Sequence, residues 1–439
     1  MDADKKFDIT TLGQPRLNSP LSLSTEKGDG MFSFVQEGES VLYDVTLTEF
    51  NRCLHTNTEP LCLEKAGPRE KIFFDPKKTK AAIVTCGGLC PGINNVIRGV
   101  VMGLHYFYGI KQVVGVPYGF EGLIPSYGHG FRELTPDNVK DIHEFGGTIL
   151  GSSRGAQSVP EMVDTLVNNN INMLFTIGGD GTLKGAEALG REIEKRELAI
   201  GVIGIPKTID NDVNLIDKSF GFETAFDVAT PILRDAHNEA TGAYNGISIV
   251  KLMGRDSGFI AASAALSMPV VNFVLIPEMD FELDGPDGFL EALKRRLDTK
   301  HHAVIVVAEG AGQHLFKSNK EIKDASGNVL HKDIGLLLKE KISQYFKTNE
   351  QSVTIKYIDP SYIIRSAPAN ANDSIFCSRL AHLAVHGAMA GKTRFVVGML
   401  NGQFVNLPIR EVTHERRKVD MEGEFWFSVR ESTGQLFTM

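Results

Sequence analysis

The chain is poor in cysteine. Its 439 residues hold five, Cys53, Cys62, Cys86, Cys90 and Cys377, too sparse and odd in number for a disulfide framework, so the reading is of reduced thiols in a cytosol-like compartment. It also lacks an excess of positive charge. Lys and Arg number 46 against 54 Asp and Glu, a formal net charge of −8, which excludes broad attraction to nucleic acid or an anionic membrane. An anionic small molecule would need a local basic pocket. No apolar core is present among the polar first residues, Met1 to Lys6, and a cytoplasmic protein without a secretory signal is expected. The long uncharged run from Ser257 to Pro277 is cut by Pro269 and Asn272. It reads as a buried helix to about Leu266 and a buried strand from about Val270 to Ile276, not as a membrane span.

Two common nucleotide motifs are missing as well. No Gly-x-Gly-x-x-Gly follows a strand, which leaves a nicotinamide-dependent dehydrogenase without support. The segment Gly387 to Thr393 is one residue short of a Walker loop and ends a helical pattern begun near Ser374, so Gly391 is expected to cap that helix. Cys86 and Cys90 flank a glycine cluster without the further Cys or His that zinc requires.

What is present is an ordinary globular composition, 42% hydrophobic and 23% charged, in a chain long enough for two or three domains. From Ala81 onward short β-rich runs alternate with helical stretches: Ala81 to Thr85, Gln112 to Val116, Asn172 to Ile177, Ala199 to Ile205, Ile247 to Lys251, Val271 to Ile276, Ala303 to Val307 and Arg394 to Met399. That alternation predicts an α/β fold of two Rossmann-like three-layer lobes with parallel-rich sheets and a cleft between them. The expected boundaries are an extension at 1–77, one lobe at 78–221 plus 365–410, a second at 222–364 and a polar tail at 411–439. The tail's basic triplet, Arg416-Arg417-Lys418, reads as solvated surface.

Three Gly-bearing turns follow predicted strands. Gly87-Gly88-Leu89-Cys90-Pro91-Gly92 precedes a helix starting near Asn94, the geometry that holds an anion at a helix N-terminus. Gly178-Gly179-Asp180-Gly181-Thr182 sets small residues, over which backbone amides can approach phosphate, beside a carboxylate that needs a bridging cation, which indicates a metal–nucleotide site. This run is shared in outline by NAD kinases and diacylglycerol kinases. Met253-Gly254-Arg255-Asp256-Ser257-Gly258 presents an arginine. Pro206-Lys207-Thr208-Ile209-Asp210-Asn211-Asp212 adds a hydroxyl, a cation and two carboxylates, the groups wanted around an acceptor hydroxyl that must lose a proton. Phosphoryl transfer is the expected chemistry.

Together with Tyr362-Ile363-Ile364-Arg365, these motifs resemble the 6-phosphofructokinase family in order from about Ala81 to Gly391, most closely its long-chain ATP-dependent branch of plants and trypanosomatids. The resemblance implies transfer from Mg-ATP to the 1-hydroxyl of D-fructose 6-phosphate, the committed step of glycolysis, by an allosteric homotetramer with neither nucleic-acid nor membrane partners. It implies that Gly87, Arg154, Gly155, Gly179, Asp180, Gly181 and Thr182 bind ATP, with Asp180 at the Mg2+. Asp210 is the implied base, with Thr208, Asp212 and Arg255 completing the catalytic set. Thr208, Ile209, Asp210, Met253, Gly254, Arg255, Glu309, Tyr362, Ile363, Ile364 and Arg365 are the implied sugar-phosphate contacts. Against the short bacterial pattern, Gly246 and Lys356 stand where arginines reach across an interface, Tyr362 stands for a histidine, and Lys356 or Lys251 is the candidate substitute. Gly181 favours ATP, because pyrophosphate-dependent relatives usually place aspartate there; Lys207 occurs with either donor. Pyrophosphate as donor and a non-catalytic sugar-phosphate-binding paralogue are the alternatives.

Overall fold

Uninterrupted Val- and Ile-rich runs form the central strands, because a strand covered on both faces by helices has no side to offer water. The computed structural model describes residues 7–316 and 330–435. The elements used below are, in chain order, β1 (Ser40–Leu42), β2 (Cys62–Lys65), β3 (Lys80–Thr85), α1 (Ile93–Met102), β4 (Gln112–Val116), β5 (Arg132–Glu133), β6 (Met173–Gly178), α2 (Asp180–Lys195) and β7 (Gly201–Pro206). There follow α3 (Phe222–Thr241), β8 (Gly246–Leu252), α4 (Phe259–Ser267), β9 (Phe273–Leu275), β10 (His302–Ala308), β11 (Thr354–Ile358), α5 (Ser361–Arg365), α6 (Ala371–Met389), β12 (Phe395–Leu400), β13 (Gln403–Pro408) and α7 (Glu424–Thr433).

Packing divides these into two units. The first takes the chain up to Thr208, then Val213–Phe220 and Ala371–Glu415. Its nine-stranded sheet has the order β1-β2-β13-β12-β7-β6-β3-β4-β5, parallel from β12 through β4 and antiparallel at both margins. β6 and β7 run side by side with Gly178 opposite Pro206, so the turns that follow them leave the sheet at the same edge. Helix α2 lays Leu183, Ala186, Leu189 and Ile193 on this sheet, the spacing of one helical face. Helix α6 crosses α1 where Gly99 has no side chain; a Cβ there would come within 2.6 Å of Ala381. As expected, Gly391 lies just past α6 in a left-handed conformation and donates its N–H to Ala388.

The second unit holds Ile209–Asp212, Gly221–Asn370 and the chain from Arg416 onward. Its sheet, β9-β10-β8-β11, is parallel throughout. The uncharged run reads correctly as helix α4 followed by strand β9, and among the described residues no helix is long and apolar enough to cross a membrane.

Two expectations are corrected. The stretch read as an extension supplies β1 and β2 to the main sheet, and β13, unforeseen, joins β12 through a tight turn at Asn401-Gly402, both at positive φ. Residues 411–435 are not a polar tail: Trp426 and Val429 of α7 are buried, and Gln435 exchanges hydrogen bonds with the backbone of Val274. The segments 1–6, 317–329 and 436–439 lie outside the described residues.

Glu64 of β2 ties its strand to the body. Its carboxylate accepts from Arg69 at 3.0 Å, Lys392 at 2.8 Å and Asn406 at 2.6 Å, and Arg69 and Lys392 are themselves buried. Taking away the carboxylate leaves buried Lys392 without this partner and Arg69 with the exposed Glu37 at 3.4 Å, and breaking a buried pair typically costs about 3–5 kcal/mol. Glu64→Ala should therefore lose stability on that scale in urea denaturation. A loss below about 1 kcal/mol would show that the network does not anchor the strand.

Candidate active site

In the first unit, four turns at the carboxyl edge of the parallel strands are held together by hydrogen bonds to backbone carbonyls. Thr85 donates to the carbonyl of Gly151 at 2.7 Å, and Gly87 donates its N–H to Ser153 at 3.1 Å while its carbonyl accepts from Ser152 at 2.6 Å. Gly87 has φ +86°, a conformation natural only to glycine. Lys207 is buried and donates Nζ to the carbonyl of Gly88 at 2.8 Å, and its N–H closes on Gly178. Arg154 is close enough that a Cβ on Gly88 would lie 3.4 Å from its Nη2. A guanidinium, an ammonium and the helix N-terminus at Asp180 thus gather around the glycine turns, a combination suited to polyphosphate.

Asp180 opens α2 and pairs with Lys184 at 2.9 Å. Thr182, implied as an ATP contact, turns inward: it is buried, and a Cβ on Gly178 would fall 2.2 Å from its hydroxyl. Its place explains why residue 178 is glycine. Gly181 is exposed, and a Cβ there would meet no atom within 4 Å. Burial pushes the Cys86 thiol up to about 12, so it serves as an apolar side chain and not as a nucleophile. Gly155 stands beside Arg154 at φ +104° and Gly179 caps α2. Thr208 ends the unit, its carbonyl accepting from Ser219 at 2.6 Å.

In the second unit Asp210 is partly exposed as a residue, but its Oδ1 is withdrawn from solvent. Burial, then the charges of Asp212 and Glu309, raise its carboxyl to about 7, against the opposing pull of Arg365 and of the N–H of Arg255. Ser257 fixes its backbone by donating to the Asp210 carbonyl at 2.9 Å. Glu309 lies 3.9 Å from Arg365 and is carried to the Met253–Arg255 turn by Gly310, whose N–H reaches the Gly254 carbonyl at 3.0 Å. A Cβ on Gly310 would fall 1.8 Å from the Arg255 carbonyl. Gly310 was missed in the sequence, although a glycine directly after Glu309 at a strand end was a legible sign of close approach.

The remaining implied sugar contacts differ in exposure. Tyr362 and Ile363 are 81% and 67% exposed. Met253 and Ile364 are wholly buried, and Ile209 nearly so, so their side chains support the turns from beneath. Gly246 cannot stand in for a reaching arginine: a Cβ there would lie 2.0 Å from the Ala240 carbonyl. Lys251 is held at 2.7 Å by Asp333 and 2.9 Å by Asp359, whereas Lys356 is half exposed, 3.6 Å from Glu239. The basic triplet is corrected in part, since Lys418 is exposed as expected but both arginines have partners. Arg416 pairs with Asp212 at 3.6 Å and more closely with Asp256, and Arg417 lies over the Phe259 ring at 4.7 Å.

Set beside known proteins, residues 80–388 match the model of the family described as Phosphofructokinase. The chain belongs to that family. The ATP-dependent 6-phosphofructokinase of Borreliella burgdorferi is 52% identical over 439 residues, covering 99% of this chain and 97% of that one. The protein of the same name from Amycolatopsis methanolica is 48% identical over 435 residues, 97% and 94% of the two chains. ATP-dependent 6-phosphofructokinase 1 of Arabidopsis thaliana is 47% identical over 375 residues, 84% and 78%. Among solved structures, a pyrophosphate-dependent phosphofructokinase from Marinobacter aquaeolei superposes with a TM-score of 0.66 at 21% identity, over 81% of this chain and 91% of that one. At that identity the likeness establishes the shared α/β fold.

The raised carboxyl of Asp210 carries a stability signature. The folded chain holds that proton more tightly than the unfolded chain, so the stabilisation is whole below the unfolded value near 4 and is lost as pH climbs through about 7. Asp210→Asn removes the charge without changing shape. Its urea stability relative to wild type should rise by about 2 kcal/mol or more between pH 5 and pH 8; a difference that stays flat with pH would mean the carboxylate is not held at a cost.

Proposed function

We propose that this phosphofructokinase transfers the γ-phosphoryl group of Mg-ATP to the 1-hydroxyl of D-fructose 6-phosphate, giving D-fructose 1,6-bisphosphate and ADP, the committed step of glycolysis. The observation that carries the reaction is Asp210, a carboxylate set by burial and neighbouring acids near neutrality. A base with that proton affinity is matched to taking a hydroxyl proton at physiological pH. Support for ATP as donor comes from relatives named ATP-dependent 6-phosphofructokinase at about half identity over almost the whole chain and from the open space at Gly181.

In this reading Arg154, Lys207 and the turns at Gly87, Gly155, Gly179 and Gly181 receive the polyphosphate of the donor, the cations offsetting its charge. Among the described residues no three His, Cys, Asp or Glu side chains gather into a complete metal cage. One carboxylate at a helix start, Asp180, fits the way Mg2+ is held with substrate phosphates supplying most ligands. When bound, the ion would offset phosphate charge. Arg365 and Arg255 offer planar forks to the sugar phosphate, Glu309 accepts from sugar hydroxyls, and Asp210 takes the proton of the attacking hydroxyl. Thr208 and Asp212 flank it in sequence. The assembly we assign is a cytoplasmic homotetramer, whose mass light scattering reads directly.

An assay of purified protein with fructose 6-phosphate and either ATP or pyrophosphate, coupled to bisphosphate formation, should show turnover with ATP alone; turnover restricted to pyrophosphate would overturn the donor assignment. Asp210→Asn should lose about 10²–10⁴ in kcat, and near-normal turnover would remove it as the base. Because residue 181 has room for a side chain, Gly181→Asp should fold normally and set a carboxylate against the nucleotide phosphates. A fall of about tenfold or more in kcat/KM for ATP is expected, and unchanged ATP kinetics would discount the position.

A further inference from the structure

The C-terminal segment returns to the turn that follows β8 and fastens it at several points. Val419 donates its N–H to Oε1 of Glu278 at 2.8 Å, and the same oxygen accepts from Gly258 at 3.0 Å, so one buried carboxylate joins the strap to the start of α4. Arg417 donates its N–H to the carbonyl of Asp212 at 2.9 Å and lays its guanidinium over Phe259. Beyond it, α7 buries Trp426 and Val429. At the head of this strap Arg416 contacts two carboxylates, Asp212 on the loop that carries Asp210 and Asp256 in the arginine turn.

We propose that Arg416 is a positioning residue for the base: held by the C-terminal strap, its guanidinium bridges Asp212 and Asp256, fixes the loop that carries Asp210 and offsets the charge of Asp212 beside it. This rests on the assignment of Asp210 above. The charged groups facing Asp210 are Asp212 and Glu309, which favour its protonated form, and Arg365 and the Arg255 N–H, which favour its ionised form. His331 stands near Arg255, Asp256 and Glu309 and is held toward its neutral form by burial. Of the two acids that favour the protonated form of Asp210, Asp212 is the one that Arg416 touches. Removing the guanidinium frees the charge of Asp212 to act on Asp210 and releases the loop from the strap. Both changes weaken the base, one by keeping it protonated to higher pH, the other by loosening its aim.

The test compares wild type, Arg416→Met, Arg416→Lys and Asp210→Asn in kcat and KM from pH 6 to 9 with Mg-ATP and fructose 6-phosphate. Arg416→Met should move the acidic limb of the kcat profile about one pH unit higher and lower kcat near pH 7 about tenfold. Arg416→Lys, which keeps the charge, should hold the limb near its wild-type place and recover most of the rate. A second measurement needs no turnover. The urea-stability difference between Asp210→Asn and its parent, followed from pH 5 to 8, should extend to higher pH in the Arg416→Met background, and an Arg416→Gln background, equally uncharged, reports the same quantity should the methionine variant not fold. A limb that stays in place in Arg416→Met, or a lysine variant as defective as the methionine one, would overturn the inference. Turnover retained by Asp210→Asn would instead overturn the proposed function, so the two failures are told apart.

Discussion

A carboxylate drawn out of water next to two others is an arrangement that folding opposes, and much of the second unit is organised around tolerating it. Asp210 loses solvation and feels Asp212 and Glu309; left to itself such a group would stay protonated through neutral pH and be useless as a base. The counterweights come from two separate elements. Arg365 arrives from α5, the N–H of Arg255 from the turn after β8, and Ser257 pins the backbone. None restores the affinity of a free aspartate. The net result lies near neutrality, where a proton can be both taken and returned.

The first unit solves the opposite problem. Its turns gather glycine conformations, a helix start and two cations, a set suited to the dense anion proposed for them. Lys207 reaches the Gly88 carbonyl from below, which ties the turn after β7 to the turn after β3. Thr182 is folded back over Gly178, locking the start of α2 to the end of β6. A pattern read as ligand contacts therefore divides into groups that face outward and groups that build the surface behind them.

That division marks how far the sequence carried. The parallel strands were legible because their two-sided burial writes continuous apolar runs, as in β3, β6, β7, β8 and β10. Strands β1, β2, β11 and β13 were not, since three of them are half exposed and short of such runs. For β13 the Asn401-Gly402 turn was a usable signal that went unread. The motifs were recognisable as strings, but strings do not say where a side chain points, which is why Ile364, Met253 and Thr182 were grouped with exposed residues. Arg416 was hidden more deeply. Its partners are far away in sequence, and three consecutive basic residues look alike until the fold assigns each a different neighbour.

The marginal strands and the strap share a logic that the repeating α/β plan does not contain. An α/β sheet leaves its edge strands with unpaired backbone, and the first unit closes one edge with β13, β2 and β1, stitched by the buried cluster at Glu64. In the second unit chain from beyond the last strand supplies an arginine to the acidic side chains Asp212 and Asp256. In both places a terminal segment satisfies groups that the central fold exposes. Because α7 is anchored by buried Trp426 and Val429, the backbone that presents the arginine is ordered by packing, and the ion pair has to offset only the ordering of its own side chains.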